Sequence, residues 1–494
     1  MLIIYKMFGT IKFSSRVQYG RNKRNLPYYL FEPCEYNEGS NKIIVASKLK
    51  SGRVDHYAEI EMLDDTCNPM RGGIRHILGP VNDYDCTKKL ILSKNSIIHK
   101  NKILCDVNPF DNGDKFDEFT YSIDPEGSKD IDDAFSYNFD KNILKVHITD
   151  LTDLDIQNLD DLINIGFTFY DNDGNINMLP SAVSEDAYSL LEGNVRRSIT
   201  MRVNLKSGEI IFTRDNIMVI KNLTYTEADD LFDKDAKWLL FRNKVTEYIG
   251  EFDDTHKFIE KLMILYNTEF SKYLYEQKKN YPIRIHKGLK EDILNKSELI
   301  DDKLKKMICY YSAEYVPVND TEMTLHKSLD IDKYTHASSP LRRLIDLINQ
   351  RIAFNNINID VQELCDKVNN RNKLFKNAYR EIKLLDLSSS LKDSDNRIYD
   401  AIIIGFDEFK IKVYIPDLDI VNNIRIFNNN ILKVFNINIT DVSMDIMHIE
   451  TNNLITLNLY QKIKVKTMIK LYESRLYKKI QFFVIDPYLV DLLD

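Results

Sequence analysis

Cysteine is scarce and scattered in this chain of 494 residues. The six (Cys34, Cys67, Cys86, Cys105, Cys309 and Cys365) include no C-x-x-C pair. That argues against a zinc or redox motif and for small buried thiols in a reducing compartment. Long apolar runs are also missing. The N-terminal one, Leu2 to Tyr5, ends after four residues, and no stretch reaches the length of a membrane span. Nothing at the N-terminus has the make-up of a secretory signal. The expected setting is therefore cytoplasmic and off the membrane. The third absence is a basic excess. A formal charge of -8 excludes a chain that coats nucleic acid by overall charge, so RNA binding would have to come from local patches. What is present is globular: 44% hydrophobic residues, and length for roughly two to four domains.

The densest chemistry lies in Ser122-Ile-Asp-Pro-Glu-Gly-Ser-Lys-Asp-Ile-Asp-Asp-Ala134. Asp124 is separated from Asp130, Asp132 and Asp133 by turn-forming Pro125, Gly127 and Ser128, so the chain bends back between them. Four carboxylates this close repel one another. Either the loop is a solvated acidic turn, or a cation neutralises it. Oxygen ligands select a hard ion, Mg²⁺ or Mn²⁺ before Zn²⁺. Strand-like segments on both sides, Glu118–Ile123 and Ile143–Ile148, place the acids at the mouth of a sheet. Their spacing does not fit an EF-hand.

Residues 1 to about 100 read as short alternating strands, a small barrel. Arg16, Tyr19, Arg21, Lys23, Arg24, Tyr28 and Tyr29 mix cations with aromatics there. That suits single-stranded nucleic acid, although an ordinary solvated hairpin has the same look. Phe167–Pro180 reads as a hairpin turning on Asp173-Gly174. Thr224 is expected to cap a helix with Glu227 three residues on. Residues 256–277 and 360–391 have helical periodicity.

The second chemical motif is Tyr334-Thr-His-Ala-Ser-Ser-Pro-Leu-Arg-Arg-Leu-Ile-Asp-Leu-Ile348. Ser338 or Ser339 as cap and Pro340 in the first turn predict a helix running through Arg351. Arg342 and Arg343 would then oppose the helix dipole unless an anion is present, which points to a phosphate. The competing reading pairs them with Asp346. From about 395 strands return as a five-stranded barrel. Lys462, Lys464 and Lys466 alternate along one strand and share a face; Lys470, Tyr472, Arg475, Tyr477, Lys478 and Lys479 extend that charge. They suit RNA, or else a lysine-protected sheet edge.

Taken in order, D-P…D-I-D-D-A, Val146-His-Ile-Thr-Asp150, Ser189-Leu-Leu-Glu-Gly193, Leu223-Thr-Tyr-Thr-Glu-Ala228, Pro282-Ile-Arg-Ile-His286 and the Y-T-H-A-S-S-P-L-R-R motif resemble the landmarks of the ribonuclease II / ribonuclease R family, the RNB-domain exoribonucleases. Asn68–Gly79 is similar to the end of that family's cold-shock-like barrel. The resemblance implies an α+β, multidomain fold. A cold-shock-like OB-fold would occupy 1–104, an RNB catalytic domain of mixed sheet and helices 105–392, and a C-terminal OB-fold 393–494. It implies a Mg²⁺-dependent (Mn²⁺ possible) 3′–5′ exoribonuclease that hydrolyses single-stranded RNA to nucleoside 5′-monophosphates, in RNA degradation or processing. The chain is expected to act as a monomer. Asp124, Asp130, Asp132 and Asp133 would be the metal or water ligands, with Asp132 the most rate-critical. Arg342 would contact the scissile phosphate. Tyr170 would stack on a nucleotide, or else pack in the sheet, and Arg343, Lys462, Lys464 and Lys466 would bind RNA. Where some relatives have an active-site glutamate this chain has Tyr379, which cannot serve as an acid. The rival expectation is a catalytically inactive, RNB-like RNA-binding protein.

Overall fold

The structure, a computed structural model, describes residues 6–17, 19–34, 41–49, 54–97, 105–106, 119–288, 312–319, 324–390, 397–407, 410–426, 435–440, 442–469 and 480–487. The chain divides into two compact units. One comprises residues 1–98, 296–308 and 374–494; the other comprises 99–295 and 309–373.

The first unit opens with a closed five-stranded barrel. Lys6–Ile11 pairs with both Tyr28–Pro33 and His56–Asp64, and Ile43–Ala46 lies parallel to Met70–Pro80. Ile11, Phe31, Ile43, Val45, Ala58 and Ile60 fill it. Gly9 permits the closest crossing, since a Cβ there would fall 2.1 Å from the Glu32 carbonyl oxygen. A groove of about 1060 Å³ on this barrel is lined by Arg16, Arg21, Tyr28, Tyr29 and Lys48. Of the cations and aromatics singled out in the sequence, Tyr19, Lys23 and Arg24 are not among its walls.

The C-terminal β-region, expected as a five-stranded barrel, contains one sheet of five strands. They run in the order Ile420–Arg425, Lys410–Ile415, Ile398–Asp407, Lys462–Ile469, Ile480–Asp486. Among the described residues they form a sheet rather than a closed barrel. A three-stranded meander, Phe435–Ile439, Ser443–His448 and Leu454–Asn458, was not anticipated. Lys462 and Lys464 are exposed while Ile463 and Val465 face inward, so the lysines do share a face. Their strand is internal to the sheet, paired on both sides, so the edge-protection reading fails. Lys464 stands opposite Asp400 on one neighbour and Asp486 on the other, which moderates the local charge. Lys470, Tyr472, Arg475, Tyr477, Lys478 and Lys479 lie outside the described residues.

The second unit is built on a six-stranded mixed sheet. Its order is Ile210–Met218, Val195–Asn204, Ile143–Thr149, Asp133–Asn138, Thr120–Asp124, Lys221–Thr224, antiparallel except for the last pair. Helices Tyr225–Lys234, Ala236–Ile249 and Thr255–Glu276 follow. They bury an aromatic cluster that includes Phe135, Trp238, Phe241 and Phe258. The expected capping box is present: Thr224 Oγ1 accepts the Glu227 amide at 3.2 Å, and Glu227 Oε2 accepts the Thr224 amide at 2.9 Å. Because Thr224 also pairs in register with Asp124, the cap fixes where the strand stops beside the acids. Thr224→Ala is expected to cost about 1 kcal/mol, read as a lowered denaturant midpoint. An unchanged midpoint would show the cap to be idle.

The Y-T-H motif departs from expectation. Its helix is Leu344–Phe354, so Pro340 to Arg343 precede it. The cause is tertiary. Thr168 N–H bonds the Arg342 carbonyl at 3.0 Å and Leu344 N–H bonds that of Gly166 at 3.0 Å. These hold Arg343 in a bridge with Phe167, with extended backbone instead of helix. Arg342 and Arg343 therefore do not sit in a helical first turn, and the helix-dipole argument for a phosphate is withdrawn. The long helix is Val361–Ser390, close to the expected 360–391.

Candidate active site

The acidic loop is held from beneath by Ser189. Its Oγ donates to the Lys129 carbonyl at 2.7 Å and accepts the Ile131 amide at 2.9 Å, while Leu190 N–H bonds the Ile131 carbonyl at 3.0 Å. The turn at its start closes with Ser128 N–H on the Pro125 carbonyl, and Gly127 takes φ +80°, which an L side chain would resist. Asp133 then enters its strand opposite Ile148, and Thr149 N–H bonds the Asp132 carbonyl at 2.9 Å.

This brings the two chemical motifs, some two hundred residues apart in sequence, into direct contact. Asp132 is 3% exposed. Its Oδ1 accepts the Leu341 amide at 2.8 Å and its Oδ2 accepts Arg342 Nε at 3.1 Å. Burial pushes its carboxyl up to about 7, against the opposing pull of Arg342 and the Leu341 amide. Arg342 also donates Nη2 to Ser339 Oγ at 3.1 Å. Its side chain remains 43% exposed, and Nη1 makes no hydrogen bond among the described residues.

The other acids differ in setting. Burial drives Asp124 up to about 6, helped by the field of Asp130. Burial, then the charges of Asp124 and Asp132, drives Asp133 well above the ordinary carboxylate range. Asp130 accepts the Tyr170 hydroxyl on Oδ2 at 2.5 Å. Tyr170 is 38% exposed, so it is not packed within the sheet. It sits on the hairpin whose strands meet at Phe169 and Ile176, as the sequence suggested. Arg343 is used internally: Nη2 donates to Asp346 Oδ1 at 2.7 Å and to Ser338 Oγ at 3.3 Å. Lys462, Lys464 and Lys466 belong to the other unit, as does Tyr379, which is 42% exposed.

Among the described residues no three His, Cys, Asp or Glu side chains form a ready-made metal cage. The donor set nevertheless fits a hard divalent ion. Asp124 Oδ2 is buried without a hydrogen-bond partner, and Asp124 and Asp133 each raise the other's cost of ionising. A cation between such groups would remove both penalties. Asp132 is different from what its spacing suggested. Both of its oxygens are already taken by protein donors, which suits orienting Arg342 better than open ligation.

Sequence reading missed Tyr225. It follows the Thr224 cap, and burial together with the charges of Asp133 and Asp124 pushes its phenol up to about 12. It therefore stays protonated beside the acids and has a proton to donate. Its ring stacks on His256, with centroids 3.5 Å apart. The parallel strand register that carries it there is not local, so nothing in the neighbouring sequence announced it. Asn267 was missed as well. It accepts the Ala337 amide at 2.7 Å and donates to Ser338 Oγ at 3.2 Å, fixing the Y-T-H loop from the long helix Thr255–Glu276.

Residues 114–240 and 239–358 match the RNB domain. Among curated relatives, ribonuclease R of Chlamydia pneumoniae is 25% identical over 325 residues, 50% of this chain and 48% of that protein. Ribonuclease R of Chlamydia muridarum is 23% identical over 390 residues, 61% of this chain and 56% of that protein. The match thus spans about half the length of these relatives. Among solved structures, Mycoplasma genitalium RNase R in complex with ribose-methylated single-stranded RNA gives a TM-score of 0.71 at 15% identity, covering 97% of this chain and 90% of that one. Yeast Ssd1, described as a pseudonuclease, gives 0.69 at 12% identity, covering 99% and 84%. These two likenesses speak for the fold. With an acidic loop and an arginine loop joined through Asp132 inside the matched segment, the chain belongs to the RNB-domain family.

Proposed function

We propose that this protein is a divalent-metal-dependent exoribonuclease that hydrolyses single-stranded RNA from its 3′ end to nucleoside 5′-monophosphates. The observation that carries the reading is the Asp132–Arg342 contact, which sets a half-exposed guanidinium with an open Nη1 beside Asp124 and Asp133. Asp124 and Asp133, with Asp130 beside them, would hold Mg²⁺ or Mn²⁺. When bound, that ion would supply Lewis-acid polarisation of the phosphate and a more acidic water. Arg342 meets charge on the phosphate oxygens through Nη1 while Asp132 fixes its plane. Tyr225 offers a hydroxyl proton to an oxygen in the same space. Tyr170, tethered by its hydroxyl to Asp130, presents a ring face on which a base can stack. The barrel groove and the Lys462–Lys466 face are the surfaces proposed to hold the rest of the strand.

One observation favours the rival, an RNB-like protein that binds RNA without cutting it: both Asp132 oxygens are already engaged by the protein. An assay with 5′-labelled RNA separates the two. The exonuclease shortens the label progressively from the far end in the presence of Mg²⁺; internal cuts, or no cutting at any metal concentration, would reject it. The same assay has a pH signature. Asp124, at about 6, and Asp133, held well above the ordinary carboxylate range, retain protons in the metal-free protein as pH falls toward 6, and these must leave when an ion binds. The apparent affinity for Mg²⁺ is therefore expected to rise from pH 6 to pH 8. A flat profile would place the ion elsewhere.

A further inference from the structure

A second cluster in the catalytic unit has the opposite sign. Arg284 lies on the ring of Tyr315, its guanidinium carbon 5.0 Å from the centroid. No carboxylate among the described residues pairs with it. The hydroxyl of Tyr315 meets His336 Nδ1 at 2.6 Å. His286, two residues on from Arg284, bridges to His326, and their rings are 5.3 Å apart. His286 and His326 are each 7% exposed. The Gly288 amide donates to His286 Nδ1 at 3.1 Å, so the ring proton of neutral His286 sits on Nε2 and that nitrogen is a donor.

Among the described residues the group is short of negative charge. Burial depresses His326 to about 4, with His286 and Arg284 adding to the effect. Burial depresses His336 well below its ordinary value, with Arg343 and Arg284 next in weight. Asp346, whose charge reaches Tyr315, is already paired with Arg343, and Glu314, beside Tyr315 in the chain, is paired with Lys287. Cationic and proton-donating side chains gathered away from water without a counter-charge are costly unless an anion joins them. Arg284 keeps a guanidinium fork that no carboxylate among the described residues occupies, and the imidazoles add neutral N–H donors, a set that suits the three terminal oxygens of a phosphate monoester better than the two free oxygens of an internal phosphodiester.

We propose that Arg284, with His286, His326 and His336 beside Arg343, forms a binding site for a phosphate monoester dianion. The inference rests on the exonuclease reading for its natural ligand, because a released nucleoside 5′-monophosphate carries that group. His336 feels the charge of Arg342 as well as that of Arg343, so the site lies near the one that would generate the product. A nucleotide held there would slow the next cycle and make the enzyme sensitive to its own product.

Calorimetry on the full chain in EDTA tests this without any turnover. Inorganic phosphate and adenosine 5′-monophosphate are the two probes, with the parent, Arg284→Gln and, should that variant fold poorly, Arg284→Lys. Both probes are expected to bind the parent, the nucleotide at least as tightly. Arg284→Gln should weaken both about tenfold, the loss of one charge-assisted hydrogen bond. Arg284→Lys, which keeps the charge and loses the fork, should fall in between. No binding to the parent, binding of phosphate but not nucleotide, or affinities unmoved by Arg284→Gln would each overturn the proposal. The outcome is separable from the nuclease reading: a parent that degrades RNA but binds neither probe sinks only the phosphate site. One that binds both and degrades nothing sinks only the exonuclease.

Discussion

Asp132→Asn abolishes RNA hydrolysis while RNA binding persists. The substitution keeps an acceptor for the Leu341 amide but turns an NH₂ group toward Arg342 Nε, where an acceptor stood. Two donors then face each other, and the guanidinium loses its anchor. Losing one well-aimed electrostatic contact in an active site costs on the order of 10²–10³ in rate. Here the substitution also removes the charge that orients the arginine, so the loss is expected at or above the upper end. Folding should survive, because Asn matches the carboxyl group in size and shape and keeps the acceptor for the Leu341 amide. Single-turnover decay of labelled RNA, run beside a filter-binding titration, checks both halves. A rate within about threefold of the parent would refute the role given to Asp132, and a matching loss of binding would reassign it to RNA contact.

Arg342→Ala strikes the same pair from the other side and is expected to cost stability as well as rate. It leaves Asp132 buried with only the Leu341 amide. Breaking a fully buried pair costs about 3–5 kcal/mol. Arg342 is 43% exposed, and solvent screening lowers the expectation to about 2 kcal/mol. The sign with pH follows from the raised carboxyl. A buried acid whose folded value lies above its unfolded one favours the folded state at low pH, and that contribution is lost as pH rises through the folded value. Asp132 stands at about 7 with Arg342 present, and removing the cation can only raise it. The stability deficit of Arg342→Ala should therefore be small near pH 5 and large near pH 8, measured as the difference in denaturant midpoint at each pH. A deficit independent of pH would mean that the arginine acts through packing. Arg342→Lys is expected to recover much of the stability but little of the rate, since the three donors of an ammonium share one nitrogen and lack the planar fork that reaches Asp132, Ser339 and an incoming phosphate from separate nitrogens.

The acidic loop shows how far local sequence reaches. Pro125, Gly127 and Ser128 foretold the bend, and the alternation on either side foretold the strands that flank it. The capping box at Thr224 and the hairpin at Asp173-Gly174 were legible for the same reason, since each is satisfied within a few residues. The arginine loop was misread because its conformation is decided by partners far away in the chain. Pro340 and the serines signal a helix start, but backbone bonds from Gly166 and Thr168 take up the carbonyl of Arg342 and the amide of Leu344, and the helix waits until Leu344. Arg343 was read as an RNA contact or as a partner of Asp346, and the second reading describes its position.

By itself the sequence determined the composition of the site, an oxygen-rich loop and a guanidinium loop, together with the strands and helices that carry them. Short-range turn chemistry and side-chain periodicity act over a few residues and are written there. Only the tertiary structure decided that Asp132 faces Arg342, that Tyr225 stands by Asp124 and Asp133, and that Arg284 has company from three histidines. Those meetings depend on strand register and on burial, which raises or lowers each group's proton affinity according to neighbours that the linear chain keeps far apart.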